Sequence, residues 1–268
     1  MKFYEGCTAL ITGASSGLGA EFARQLAPHA SKLVLVARRA DRLEEIKNSL
    51  EAANPGLEVL VYSADLAAED RRAALASWIN ESGLKVDLLV NNAGLGDHGE
   101  FLSSDWERVR AMLDTNIAAL THLTHLLLPA MVLGGRAAVL NVSSVASFFP
   151  LPNMAVYAAT KAYVTSLSEA LAMELRPRGI TVTALCPGPV PTEFFSVAER
   201  GAGARPHYET MPAFVVTPEE AVRSGLAAVA RGRARVVPGP LLALAVGVAL
   251  LVPFVITREL LRLGSRKI

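Results

Sequence analysis

Cysteine is nearly absent from this chain: its 268 residues include two, Cys7 and Cys186. Two distant thiols, each inside an apolar run, exclude a disulfide framework and a cysteine-rich zinc site. They read as small core residues, and a reducing compartment, the cytoplasm, is the expected location. Net charge is nearly absent too. The 26 basic and 25 acidic side chains leave +1, without the basic excess that nucleic acid requires, so no nucleic-acid partner is expected. Histidines 98, 122 and 125 are scattered, and no metal-ligand cluster is visible. Residues Met1 to Gly6 lack signal-peptide architecture; the short apolar run after them leads straight into a glycine loop and reads as a strand of the mature fold. No repeat, low-complexity stretch or linker divides the chain. One domain is expected over residues 1–238, followed by a hydrophobic extension over 239–268 that is not an independent domain.

Apolar residues are plentiful, at 51%, which argues against disorder. They fall in short runs at Thr8–Thr12, Leu33–Ala37, Leu57–Tyr62, Asp87–Asn91, Ala137–Val142, Ile180–Cys186 and Arg235–Val237. Most of these runs show little alternation, which suits strands covered on both faces. Helix-length amphipathic stretches lie between them, at Leu18–Ala27, Asp41–Ala53, Glu69–Glu81 and Ala155–Pro177. Such alternation predicts an α/β fold: a doubly wound parallel sheet of about seven strands with helices on both faces.

The first run ends in Thr12-Gly13-Ala14-Ser15-Ser16-Gly17-Leu18-Gly19. A glycine loop between a strand and a helix gives a tight turn, close approach to a pyrophosphate, and helix–strand packing. The helix N-terminus adds unpaired N–H groups and a favourable dipole. A Rossmann-type dinucleotide site is expected here, with Gly13, Ser15, Ser16, Gly17, Leu18 and Gly19 as its contacts. The spacing is Gly-x-x-x-Gly-x-Gly, not the commoner Gly-x-Gly-x-x-Gly. The second strand ends Val36-Ala37-Arg38-Arg39, with no carboxylate where NAD-binding versions carry one. Two guanidiniums suit a 2′-phosphate, so NADP is the expected cofactor and NAD the lesser one; the alternative is that Arg38 and Arg39 are solvated loop residues. Asp41 reads as the N-cap of the next helix. Asp65 and Leu66, after the third strand, either approach the adenine or cap a helix.

Tyr157 and Lys161 stand four residues apart on a predicted helix, so both side chains share one face. A lone tyrosine has a pKa of about 10 and is a poor acid or base near neutrality. A nearby ammonium is expected to lower it into the working range.

Together these features resemble the short-chain dehydrogenase/reductase family. Thr12-Gly13-x-x-x-Gly17-x-Gly19 is similar to its cofactor loop and Asn91-Asn92-Ala93-Gly94 to its Asn-Asn-Ala-Gly motif. Asn116 is similar to its helix asparagine. Ser144 lies thirteen residues before Tyr157 as the family serine does, and Pro187-Gly188 with Thr192 is similar to the segment after its sixth strand. The resemblance covers about residues 6–238 and implies an NADP(H)-dependent oxidoreductase interconverting a ketone and a secondary alcohol. It implies Tyr157 as proton donor or acceptor, and Lys161 as the group that lowers the Tyr157 pKa and holds the nicotinamide ribose. Ser144 would hold the substrate oxygen, with Ser143 the less favoured serine, and Asn116 would anchor a relay water. Asn92, Ala93, Gly94, Pro187, Gly188, Val190 and Thr192 would line the cofactor, as would Asn91 unless it and Gly94 only brace the central strands.

Two aromatic-rich segments are the expected substrate wall: Phe148, Phe149, Pro150, Leu151 and Met154, and then Phe194, Phe195, His207, Tyr208, Met211 and Phe214. Gly201, Gly203 and Pro206 in the second segment suit a mobile lid. Apolar walls favour a lipophilic carbonyl or alcohol, although such aromatics also serve as ordinary packing. From Val236 to Thr257 no residue is charged, and arginines flank the stretch. Pro238 to Pro240 open it and Pro253 interrupts it, leaving a helix over Leu241–Val252 that is short for a span. It reads as packed on the domain, buried in a homo-oligomer (dimer or tetramer), or in contact with a membrane surface through residues 241–256. Two other functions stay open: a catalytically silent NADP sensor and a membrane-tethered scaffold.

Overall fold

Seven strands form one parallel sheet in the order β3-β2-β1-β4-β5-β6-β7. They are β1 (Thr8–Thr12), β2 (Lys32–Ala37), β3 (Glu58–Ser63), β4 (Leu88–Asn91), β5 (Ala138–Val142), β6 (Thr181–Leu185) and β7 (Arg235–Val236). The computed structural model describes residues 2–133, 137–198, 212–253 and 256, without the side chains of Phe195 and Pro212. Each strand lies within about a residue of its expected run, and α3 (Glu69–Glu81) matches its expected range at both ends.

Non-alternating strands end up buried on both sides. Along β1 and β2, Ile11, Leu33 and Leu35 face one core; Leu10, Val34 and Val36 face the other. The first core is closed by α1 (Gly17–Leu26) through Phe22 and Leu26, by α2 (Ala40–Ala53) through Leu43 and Leu50, and by α8 (Pro218–Ala230) through Val222 and Leu226. The second is closed by α3 through Leu75 and Ile79, and by α5 (Leu120–Leu133) through Leu123 and Leu127. Each such leucine or phenylalanine contributes about 1.5–3 kcal/mol on burial.

Strand order reverses between β1 and β4, so a crevice opens at the carboxyl ends of these strands, where open α/β sheets bind ligands. Three elements border that crevice. The helix of α4 (Trp106–Leu113) runs into α5 through a π-helical turn at Asp114–Ala119. α6 (Ala155–Leu175) follows β5, and α7 (Glu193–Ala198) follows β6. The continuous helix Trp106–Leu133 is apolar and long enough to cross a membrane by length and composition, yet its Leu123 and Leu127 are buried in the core against the sheet.

Asp41 is not the cap of α2. Arg39 holds the cap position and Asp41 lies inside the first turn, because the helix starts a residue earlier than its charge pattern suggests. The expected C-terminal helix is α9 (Pro240–Leu251). Of its residues Leu242 and Val246 are buried, whereas Leu241, Leu244, Val248 and Leu251 are exposed.

Candidate active site

The dinucleotide end of the crevice is built from backbone. Thr12 Oγ1 accepts from the N–H groups of Asn92 and Ala93 at 2.9 and 3.0 Å. The Asn92 side chain in turn donates to the Thr12 carbonyl at 2.9 Å. These bonds tie the β1 loop to the β4 loop. Gly13 has φ +66, and a Cβ there would lie 2.9 Å from both Ala93 Cα and Asn92 Nδ2. At Gly19 a Cβ would stand 2.2 Å from the Gly13 carbonyl oxygen, so the helix can approach the loop only without a side chain. Ser16 caps α1 without a side-chain hydrogen bond to the helix N–H groups, which leaves the first of them for a ligand. This is a cradle of the right shape and polarity for a pyrophosphate.

The same cavity, of about 550 Å³, runs from this cradle to the far side of Tyr157. Gly13, Ser15, Ser16, Gly17, Leu18, Arg38, Arg39, Asp65, Leu66, Asn92, Ala93 and Gly94 all line it, as do Pro187, Gly188, Val190 and Thr192. All the expected cofactor contacts except Gly19, which packs against the Gly13 carbonyl, and Asn91 therefore face one space. Asp65 also accepts from the Ala67 N–H at 3.1 Å, capping the turn before α3. Asn91 does not line the cavity. Its amide donates to Thr124 at 3.0 Å and to Asn141 at 2.9 Å, so it braces β4 against β5.

The two arginines differ. Arg38 is exposed and makes no side-chain hydrogen bond or ion pair among the described residues. Arg39 donates to Ser15 through Nε and Nη2, to Ser16 through Nη2 at 2.8 Å, and to Glu193 through Nη1 at 3.0 Å. Nothing in the sequence flagged Glu193, which reaches this spot from α7.

Ser144, Tyr157 and Lys161 line the middle of the cavity, and Asn116 is buried just behind its wall, beside Gly94. Ser144 starts a short 3-10 turn after β5, and its Oγ accepts from the Ala146 N–H at 3.1 Å. Ser143 is 2% exposed, and its hydroxyl donates to the Lys161 carbonyl and pairs with Thr165 at 2.7 Å. That leaves Ser144 as the serine open to a ligand. Lys161 donates from Nζ to the Val142 carbonyl at 2.9 Å, and the same nitrogen is 5.7 Å from the Tyr157 ring centroid. Asn116 sits in the π turn, a widened helical geometry frequent at functional sites. Its amide donates to Leu95 O at 2.9 Å and Thr160 Oγ1 at 3.0 Å, and its Oδ1 accepts from the Leu95 N–H at 2.8 Å. Both N–H groups are therefore engaged, and a relay water has only lone pairs of Asn116 to meet. Gly94 keeps the gap open: a Cβ there would lie 3.4 Å from Asn116 Oδ1 and 3.5 Å from Lys161 Nζ.

The electrostatics differ from the sequence-based expectation. Burial pushes the Tyr157 phenol up to about 12, with the Ser144 hydroxyl pulling the other way. Burial also lowers Lys161 to about 8. The expected downward pull of the ammonium on Tyr157 is overridden, since loss of water disfavours both charged forms and Nζ is held on the Val142 carbonyl. Tyr157 is thus a neutral phenol near neutrality, able to give a proton.

Beyond Tyr157 the walls turn apolar. Phe149, Leu151 and Met154 of the first expected segment line the cavity, and so do Phe194 and Phe214 of the second. Phe148 instead stacks under the Arg235 guanidinium at 5.1 Å, and Pro150 is exposed. The Phe195 side chain, His207, Tyr208 and Met211 lie outside the described residues, as do Gly201, Gly203 and Pro206. Leu242 of α9 completes the wall, and a Cβ on Gly188 would lie 2.5 Å from its Cδ2. No local signal marks Leu242, because its role depends on how α9 docks.

A model of the family described as short chain dehydrogenase matches residues 7–202. The sulfoacetaldehyde reductase of Chromohalobacter salexigens is 37% identical over 198 residues, covering 71% of this chain and 75% of that one. The human very-long-chain 3-oxoacyl-CoA reductase is 31% identical over 193 residues, 70% of this chain, which spans 61% of that enzyme's length. Among solved structures, a short-chain dehydrogenase from Sphingobium yanoikuyae in complex with NADPH superposes with a TM-score of 0.78 at 33% identity, covering 92% of this chain and 96% of that one.

Proposed function

The chain belongs to the short-chain dehydrogenase family and is an NAD(P)-dependent oxidoreductase acting on a CH–OH group; within that activity we propose that it uses NADPH to reduce a ketone on a lipophilic molecule. The observation carrying this reading is the buried Tyr157 phenol beside Ser144, at the point where a polar cleft meets an apolar one. Bound nicotinamide supplies the hydride in this chemistry.

The protein's part is to orient the carbonyl and move a proton. Ser144 Oγ–H donates to the substrate oxygen and steadies the charge that grows there. Tyr157 gives its proton to that oxygen, and in the reverse direction takes it from the alcohol. The Lys161 ammonium, once close to the phenolate, stabilises it and holds the ribose hydroxyls of the cofactor. Proton supply from solvent runs through a water held on Asn116 toward Lys161. Asn92, Ala93 and Gly94 would hold the nicotinamide half, together with Pro187, Gly188, Val190 and Thr192. Gly13, Ser15, Ser16, Gly17, Leu18 and Gly19 would cradle the pyrophosphate, Asp65 and Leu66 would face the adenine, and Arg38 and Arg39 would take the 2′-phosphate.

The lining supports the substrate class. Its only basic side chains are Arg38, Arg39 and Lys161 among the described residues, all on the cofactor side. A small anionic aldehyde finds no cation at the apolar end, whereas an acyl chain or ring finds Phe149, Met154 and Leu242. The exposed leucines of α9 fit the same reading, as a surface that rests on a membrane or on a second copy of an otherwise cytoplasmic enzyme.

The test is NADPH oxidation with ketones of graded size, run beside Tyr157→Phe. Turnover that rises with apolar bulk and disappears in the variant supports the proposal. Tight NADPH binding with no turnover on any ketone points to a sensor instead.

A further inference from the structure

Glu193 is the first residue of α7, and it crosses the cavity mouth to two guanidiniums. Its Oε2 lies 3.0 Å from Arg39 Nη1 and its Oε1 2.6 Å from Arg42 Nη1. The carboxyl is held below its usual range by Arg42 and then Arg39. No other carboxylate meets Arg39 among the described residues.

The donor count gives this contact its meaning. A guanidinium has five N–H donors in a fixed fork. In Arg39, Nε and both hydrogens of Nη2 face the Ser15 and Ser16 hydroxyls, and one hydrogen of Nη1 faces Glu193. One donor remains. A bidentate grip on a phosphate requires two, so Arg39 cannot take one in that way while Glu193 holds it. The serine hydroxyls are neutral and rotate; the carboxylate is the charged competitor. The neighbour of Glu193 is Phe194, whose ring lies 5.6 Å from that of Tyr157. Two consecutive residues of one short helix thus meet Arg39 at the dinucleotide end of the cavity and Tyr157 at its middle.

We propose that Glu193 is a specificity-determining residue that stands in for the cofactor's phosphate at Arg39 and is displaced when a phosphorylated dinucleotide binds. It subtracts from NADPH affinity and leaves NADH untouched. This rests on the assignment of the 2′-phosphate to Arg38 and Arg39.

Calorimetric titration of the full chain with NADPH and with NADH, for wild type, Glu193→Gln and Arg39→Ala, tests both. The ion pairs are half-exposed and individually weak, so Glu193→Gln should tighten NADPH by about three- to tenfold and change NADH by less than about twofold. That gain should shrink as salt is raised, since exposed pairs are screened; a packing change in α7 would not behave so. If Arg39→Ala weakens NADPH selectively but Glu193→Gln leaves both cofactors unchanged, the phosphate assignment stands and the competition does not. An equal shift of both cofactors in Glu193→Gln also overturns it. Equal losses of both cofactors in Arg39→Ala remove the phosphate assignment and the competition with it.

Discussion

The two ends of the cavity are made differently. At the dinucleotide end, backbone does the recognition: Gly13, Gly19, the Thr12 hydroxyl and the open turn of α1 set the shape, and few side chains project into it. At the substrate end, side chains from distant segments meet: Phe149 and Met154 before α6, Phe194 on α7, Phe214 before α8 and Leu242 on α9. A backbone cradle tolerates few residue types, so it leaves a fixed local pattern. An apolar wall tolerates many, provided that volume is kept. The first end is thus suited to one class of cofactor, and the second can change its substrate while the frame stays.

Tyr157 lies at the seam, and its removal should have the largest effect. Tyr157→Phe keeps the ring and its packing but deletes the hydroxyl proposed as proton donor. Catalytic turnover should fall by about 10²- to 10⁴-fold, while NADPH affinity stays near the wild-type value. A variant that retains turnover in a stopped-flow assay would remove Tyr157 from the reaction.

Lys161 tests the same seam through stability. Its pKa in the folded protein, about 8, lies below the unfolded value of 10.5. Between these values the unfolded chain binds more protons, so stability rises with pH in that window. Below about pH 8 the buried ammonium opposes folding in full. Relative to Lys161→Met, the wild type should therefore gain roughly 2–3 kcal/mol between pH 8 and pH 10. Urea unfolding at both pH values measures it; a flat difference would mean that the ammonium is not desolvated. On the proposed mechanism the unfavourable lysine stands where proton transfer needs it, a conflict between stability and function expected at active sites.

Arg38 probes the polar end alone. Arg38→Ala should cost NADPH binding about 1.5–3 kcal/mol, the worth of a charge-assisted contact, and should leave NADH nearly unchanged. Here the limits of sequence reading also show. The sheet, the glycine loop and the Tyr157–Lys161 pair were legible, because strand burial, tight turns and helical spacing are local constraints, whereas Ser144 was legible only through the family resemblance. Arg39 was legible as a cation but not as one already held by Glu193, since residues 154 positions apart meet only through the fold. The direction of the Tyr157 pKa is hidden from the sequence for a similar reason: spacing gives the distance to an ammonium, but not the water lost by both groups.

Leu242 and Leu244 give the smallest effect and the finest comparison, since they sit two residues apart on α9 and face opposite ways. Leu242 is 7% exposed and lines the cavity, whereas Leu244 is 66% exposed. Shortening Leu242 to alanine removes part of the apolar wall but touches no group that moves a proton. A missing methylene in such a pocket is worth about 1–3 kcal/mol. The KM for a long-chain ketone should therefore rise about tenfold with kcat unchanged, and a ketone too short to reach α9 should show no change. Leu244→Ala should leave both KM values alone, and reduce instead the pelleting of the protein with vesicles or its self-association in sedimentation velocity. If both variants shift the long-chain KM equally, α9 acts on the site as a whole rather than through Leu242, and the apolar end has no wall of its own at that position. A split result would place substrate reach on one face of a twelve-residue helix and surface contact on the other.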